Sequence, residues 1–176
     1  MLLNAKKMAF LGLLLSIDVI LIILSGVFEF NTLFLLGAAA FCVGIAIREV
    51  GLSLGLGFYI ASVILGFMLA PNKLYCITYG GMGMYIIARE FAWEKLAKAK
   101  NISNRSTALW IIKYMAFNLM YLPILLFLPK LIYQGDISKI IYLLLIIAGQ
   151  IILYIYDQAY EYFQGTIWSK IRHKLK

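Results

Sequence analysis

AKKMAFLGLLLSIDVILIILSGVFE, residues 5–29, is the stretch whose reading decides the fold. Lys6 and Lys7 open it, and behind them the chain stays apolar for about the twenty residues an α-helix needs to cross a hydrocarbon core. The one charge inside the apolar run is Asp18. At about 100° per residue, Ala5, Ala9, Gly12 and Ser16 fall on one narrow stripe, and Asp18, Ser25 and Glu29 fall on the opposite side. The small stripe is a surface that another helix can approach backbone to backbone, because helices in lipid associate through close packing more than through hydrophobicity. That neighbour is either a partner protein or another helix of the same chain. A carboxyl near mid-membrane costs roughly 2.5–3.5 kcal/mol on insertion scales, so Asp18 is expected to face protein or water. It is either a protonated or hydrogen-bonded structural group or part of a ligand or ion site.

The rest of the composition agrees with a chain built for lipid. With 64% hydrophobic and 14% charged residues among 176, and a mean hydropathy of +0.91, it is too apolar for a soluble globule. The formal charge of +8 raises the question of nucleic acid, but the basic residues collect in a few short inter-span segments. The positive-inside rule accounts for that distribution, and no nucleic-acid partner is expected. Cys42 and Cys76 lie in apolar runs without metal-ligand or disulfide spacing. The N-terminal apolar run is longer than a signal-peptide core and lacks a small-x-small cleavage site, so it reads as a retained helix. There is no P-loop, no histidine pair and no Ser/His/Asp set, and His173 sits among cations. The expectation is a protein that is not an enzyme and carries neither metal nor cofactor.

Six spans fit the hydropathy, at about residues 8–28, 32–48, 51–70, 74–94, 107–128 and 137–157. The fold class is therefore all-α, a single compact six-helix transmembrane bundle, followed by a basic tail at 158–176. Lys6, Lys7, Arg48, Arg89, Lys95, Lys98, Lys100, Arg105, Lys170, Arg172, Lys174 and Lys176 fall on one side, against Lys73, Lys130 and Lys139 on the other. Both termini are expected in the cytoplasm, in a multi-pass protein of the plasma membrane. The segment KLAKAKNISNRS at 95–106 is the one long polar connection before the tail, and it divides the bundle into four helices plus two. Trp168 and the basic end suit a helix or tail resting on an anionic inner leaflet.

Polar and aromatic residues gather in the later spans. Tyr75, Tyr79 and Met82 recur at helical spacing behind the turn APNKLYC, in which Pro71 stops the third span and Asn72 and Lys73 offer polar groups at the outer interface. In the fifth span Tyr114, Asn118 and Tyr121 share a face, and Pro123 interrupts the backbone ladder just beyond. The sixth carries Tyr142, Gln150, Tyr154 and Asp157. A ligand cavity needs apolar walls with a few convergent polar groups, and Asn72, Tyr79, Asn118, Tyr121, Tyr142 and Gln150 are the candidate binding residues, with Asp18 at the floor. Asp18 and Asn118 lie at similar depth, which suits either mutual satisfaction or a shared ligand.

The small six-span layout, the stripe in KKMAFLGLLLS, the short scaffold helices and the polar residues of spans four to six together resemble the substrate-capture S components of bacterial energy-coupling-factor transporters. The resemblance is architectural and covers the whole chain, with the Ala5/Ala9 and Gly12/Ser16 spacing as its one motif. It implies docking of the first helix on a transmembrane T component, with two cytoplasmic ATPases completing the complex and a vitamin or metal ion captured near the outer side. The first outer loop, Glu29 to Asn31, is shorter than the lid loop of many S components. The histidine-rich N-terminal motif of the nickel and cobalt members is absent, which leaves a vitamin-like organic solute as the expected ligand. Two other readings stand beside it: a membrane scaffold for cell-envelope assembly, and an ion- or proton-coupled homodimeric carrier motivated by Asp18.

Overall fold

The computed structural model describes residues 5–98, 104–127 and 138–175. Apart from short turns these are helical, with no strand among them. The helices are α1 (Ala5–Ser25), α2 (Thr32–Val50), α3 (Leu52–Leu69), α4 (Lys73–Lys98), α5 (Arg105–Phe127), α6 (Lys139–Tyr162) and α7 (Ser169–Leu175). A single 3-10 turn, Glu29–Asn31, leads into α2, and a π-helical stretch, Phe163–Trp168, joins α6 to α7. Five helical segments are long and apolar enough to cross a membrane, namely α1, α2, α3, α5 and the continuous run Lys139–Arg172. Their outward faces carry Leu13, Phe34, Phe67, Leu119 and Ile140, all exposed. Surface of that kind belongs in lipid, and the features are those of a membrane-embedded protein.

α4 has the length of a span at 26 residues. Its apolarity is diluted by Tyr75, Tyr79, three glycines and the Arg89/Glu90 pair, so it stands apart from the other five. Where a separate basic tail is expected after residue 157, the helix instead continues through Tyr162 and the π-helical stretch to Leu175. No proline follows, and Gly165 is absorbed by the wider π turn. Lys100 and Lys176, counted on the basic side, and Lys130, counted on the other, lie outside the described residues, as do the stretches 99–103 and 128–137.

The chain divides into two compact units, Met1–Lys113 and Tyr114–Lys176. The division falls inside α5, beyond the polar connection at 95–106. In the first unit α2 is the hub: it packs on α1, α3 and α4, and ten of its nineteen residues are buried. α1, α3 and α4 also touch one another. Gly51 turns the chain from α2 to α3 at φ 94°, a backbone region that L side chains rarely adopt. Its N–H donates to the Ile47 carbonyl at 2.9 Å and closes α2. At the opposite end Pro71 ends α3, with Ala70 before it extended, and the Lys73 ammonium donates to the carbonyls of Phe67, Met68 and Ala70. A cation on the last carbonyls of α3 suits the negative end of the helix dipole.

The first unit also holds an ion-pair cluster. Arg48 of α2 donates through Nε to Glu90 Oε2 at 3.0 Å and through Nη2 to Glu90 Oε1 at 2.7 Å. Arg89 donates to Glu90 Oε1 at 2.9 Å, and both Arg89 and Glu90 are buried. The fork ties α2 to α4, so these two arginines are structural as well as basic. Below it Ala92 and Leu96 of α4 pack with Leu109 at the start of α5.

Close helix approach in this unit rests on glycine. A Cβ at Gly55 would lie 2.9 Å from the Cα of Ile47, against the backbone of α2, whereas a Cβ at Gly57 would meet nothing within 4 Å. Gly55→Ala is therefore expected to lower stability by about 1–3 kcal/mol. Gly57→Ala should leave it unchanged or raise it by up to about 1 kcal/mol through helix propensity. Thermal unfolding followed by tryptophan fluorescence checks the pair, and equal effects at both positions would contradict the α2 to α3 contact.

Candidate functional site

α1 presents two faces. Leu14, Asp18, Val19, Ile22 and Ser25 are buried, while Ala5, Ala9, Gly12 and Ser16 are exposed. The 100° step places Leu14, Asp18 and Ser25 on the side opposite the small residues, with Ile22 and Val19 on the flank between. Ser16 turns its hydroxyl back to the Gly12 carbonyl at 3.0 Å, which keeps the exposed edge smooth. A Cβ at Gly12 would meet nothing within 4 Å.

Asp18 has 0% of its surface exposed, and its polar neighbours come from two other helices. The Tyr79 hydroxyl of α4 lies 2.6 Å from Asp18 Oδ2. The same hydroxyl lies 2.5 Å from Ser62 Oγ of α3, and Ser62 Oγ donates to the Tyr59 carbonyl at 2.9 Å. Tyr59 then donates its own hydroxyl across to the Gly80 carbonyl at 2.7 Å. Gly83 makes this possible, since a Cβ there would lie 2.6 Å from the Tyr59 ring. Asp18, Ser62 and Tyr79 are all fully buried, and Asp18 Oδ1 has no hydrogen-bond partner among the described residues. Asn72 stands apart from this chain of hydroxyls: its Oδ1 accepts from the Leu74 N–H at 3.0 Å and caps the start of α4.

The second unit contains a separate polar cluster. Asn118 and Gln150 exchange hydrogen bonds, Gln150 Nε2 donating to Asn118 Oδ1 at 2.8 Å and Asn118 Nδ2 donating to Gln150 Oε1 at 3.3 Å. Asn118 Nδ2 also donates to the Tyr114 carbonyl at 2.9 Å. Tyr121 stacks on Phe117 with ring centroids 5.0 Å apart, and its hydroxyl donates to the Leu145 carbonyl at 2.7 Å. Gly149 accommodates that ring, since a Cβ there would lie 2.6 Å from Tyr121 Cε1. Tyr142 is partly buried on α6.

Of the candidate residues, Asp18 and Tyr79 are in direct contact, and Asn118 and Gln150 are in direct contact. Asp18 and Asn118 each find a partner inside their own unit. Ser62 is not among the candidate residues, although a hydroxyl in the small-residue series Gly55, Ser62, Gly66 of α3 was the available sign of a polar contact. Gln164 was also missed. It is buried in the π-helical stretch, with neither amide atom hydrogen-bonded among the described residues. No cluster of three or more His, Cys, Asp or Glu that could hold a metal occurs among the described residues.

Two outcomes follow from these contacts. Tyr79→Phe removes the hydroxyl between Asp18 and Ser62 and should cost about 1–3 kcal/mol in reversible unfolding, the penalty of leaving buried polar groups unpartnered. A double-mutant cycle on Asn118→Leu and Gln150→Leu should give a coupling of about 0.6 kcal/mol, the average found between membrane helices, and at most about 1.7 kcal/mol. Additive losses would mean that the amide pair does not form. No protein-family model, curated protein or solved structure matches the chain.

Proposed function

We propose that the chain is a transport subunit of the plasma membrane, with both termini in the cytoplasm, that captures a small, vitamin-like organic solute from the outer side and docks through α1 on a membrane partner coupled to cytoplasmic ATPases. The observation that carries this reading is the division of α1. Ala5, Ala9, Gly12 and Ser16 are exposed along one edge, and Asp18 on the other is wholly buried. A helix whose small residues were needed only inside the molecule would turn them inward, and this one turns them outward. Within the second unit, the polar groups of Asn118, Tyr121, Tyr142 and Gln150 on α5 and α6 are the donors and acceptors a solute site would draw on.

A second reading, a membrane scaffold for cell-envelope assembly, draws on a different observation. The Asn118/Gln150 pair is reciprocal, and Tyr121 is already bonded to Leu145. Such mutual satisfaction is what polar residues provide when their role is to fix helix register.

Gly12→Leu separates the two. With open space over Gly12 the protein should fold and retain any bound small molecule, while co-purification of the ATPase and its membrane partner, and solute uptake, should be lost. Mass spectrometry of the purified complex reads the first two, and a solute-uptake assay in cells reads the third. Recovery of envelope synthases in place of an ATPase would favour the scaffold, and parallel loss of the small molecule in the variant would remove the docking role from α1.

A further inference from the structure

We propose that Asp18 is a proton-binding site, its carboxyl held as the neutral acid at the head of a relay running through Tyr79 and Ser62 to the carbonyl of Tyr59. Four oxygens stand in a row. Asp18 Oδ2 and Tyr79 Oη are 2.6 Å apart, Tyr79 Oη and Ser62 Oγ 2.5 Å, and Ser62 Oγ and the Tyr59 carbonyl oxygen 2.9 Å. All three separations lie in the O–H···O range, and each requires a hydrogen between its oxygens. The two hydroxyls supply one hydrogen each, and a backbone carbonyl supplies none. The third comes from the carboxyl.

The ionised alternative leaves one contact without its hydrogen. With Asp18 as carboxylate, Tyr79 turns its hydrogen toward Oδ2, and Ser62 has a single hydrogen for two neighbours. Either the 2.5 Å or the 2.9 Å contact then sets lone pair against lone pair. With the acid protonated, Asp18 donates to Tyr79, Tyr79 to Ser62 and Ser62 to Tyr59, and every contact is satisfied in one direction.

The second carboxyl oxygen gives the same answer from an independent count. Oδ1 is buried and has no partner among the described residues. In a neutral acid it is a lone carbonyl oxygen, a tolerable cost; in a carboxylate it carries half of an unpaired buried charge, which is far costlier. No cation of the described residues pairs with Asp18. α2 brings Cys42 toward it, a thiol that donates to the Ala38 carbonyl at 3.7 Å. α3 brings Ser62 with Tyr59 behind it, and α4 brings Tyr79. None of these offers positive charge. The proton is therefore the ligand that neutralises the Asp18 cluster, and this holds whether or not α1 docks on a partner.

Infrared spectroscopy of the full-length protein in lipid vesicles near neutral pH tests the proposal. Wild type should show the carbonyl stretch of a protonated carboxylic acid, and Asp18→Asn should lose it. Asparagine donates to Tyr79 as the neutral acid does, so the thermal midpoint of that variant should stay unchanged. A difference spectrum showing loss of a carboxylate band instead of an acid band would overturn the proposal. Should Asp18→Asn fail to fold, Ser62→Ala decides. It removes the hydroxyl that accepts from Tyr79, which frees the Tyr79 hydrogen for Asp18 and favours the carboxylate. The pH at which the acid band disappears should then fall by about one unit, tenfold in proton affinity. A midpoint that does not move would overturn the relay.

Discussion

The contact between Asp18 and Tyr79 sets the rotation of α1, and much of the first unit follows from that. In lipid, apolar side chains gain little by facing inward, so hydrophobicity alone leaves a membrane helix free to turn about its axis. A carboxyl removes that freedom, since presenting it to hydrocarbon costs roughly 2.5–3.5 kcal/mol on insertion scales. Once Asp18 faces α3 and α4, the 100° step sends Ala5, Ala9, Gly12 and Ser16 outward. The exposed small edge is thus a geometric consequence of the buried acidic one. A single polar residue specifies both surfaces of the helix.

The glycines and the hydroxyls act as one device. Ser62 and Tyr79 reach Asp18 only because α3 and α4 come close, and they come close where side chains are missing. Gly83 admits the Tyr59 ring, which lets the Tyr59 hydroxyl reach the Gly80 carbonyl of the same helix. Gly66 lies against Ile22 and Cys76, where a Cβ would sit 3.2 Å from Ile22 Cδ1. Gly55 does the same against α2. In a medium that gives packing no hydrophobic reward, backbone proximity and hydrogen bonds between helices carry the specificity. The same arrangement recurs in the second unit, where Gly149 makes room for the Tyr121 ring and so for its bond to Leu145.

Much of this was legible in the sequence because length and apolarity are one-dimensional properties. The bounds of α1 to α6 fall close to the expected spans, and the two faces of α1 can be read from residue spacing alone. Spacing gives the direction in which a side chain leaves its helix; it does not give the helix that lies there. For that reason Asp18 could be expected to face inward, while its partners Tyr79 and Ser62 could not be chosen over Asn118, which pairs with Gln150 instead. Counting cations has the same blind spot. Arg48 and Arg89 enter the positive-inside tally as free charges, but Glu90 holds both, and Arg89 is buried. The continuation past residue 157 was hidden by composition, because a basic, glycine-containing stretch reads as a tail unless the backbone is known to pass Gly165 through a π turn.

The polar groups of the second unit bear on whether a satisfied interior argues against capture of a solute. Asn118 and Gln150 leave little unpaired capacity, which in water would suggest a finished structural contact. Interhelical hydrogen bonds in membranes average only about 0.6 kcal/mol, since groups released from one partner readily find another. A solute offering its own donor and acceptor needs to supply little net energy to replace Gln150 at Asn118, whereas displacing the fully buried Tyr79 from Asp18 means breaking a contact between three helices. On that difference the α5 to α6 amide pair is the side of the molecule suited to exchange partners, and the Asp18 cluster is the side suited to stay closed. The reciprocal pair therefore weighs less for the scaffold than its geometry first suggests.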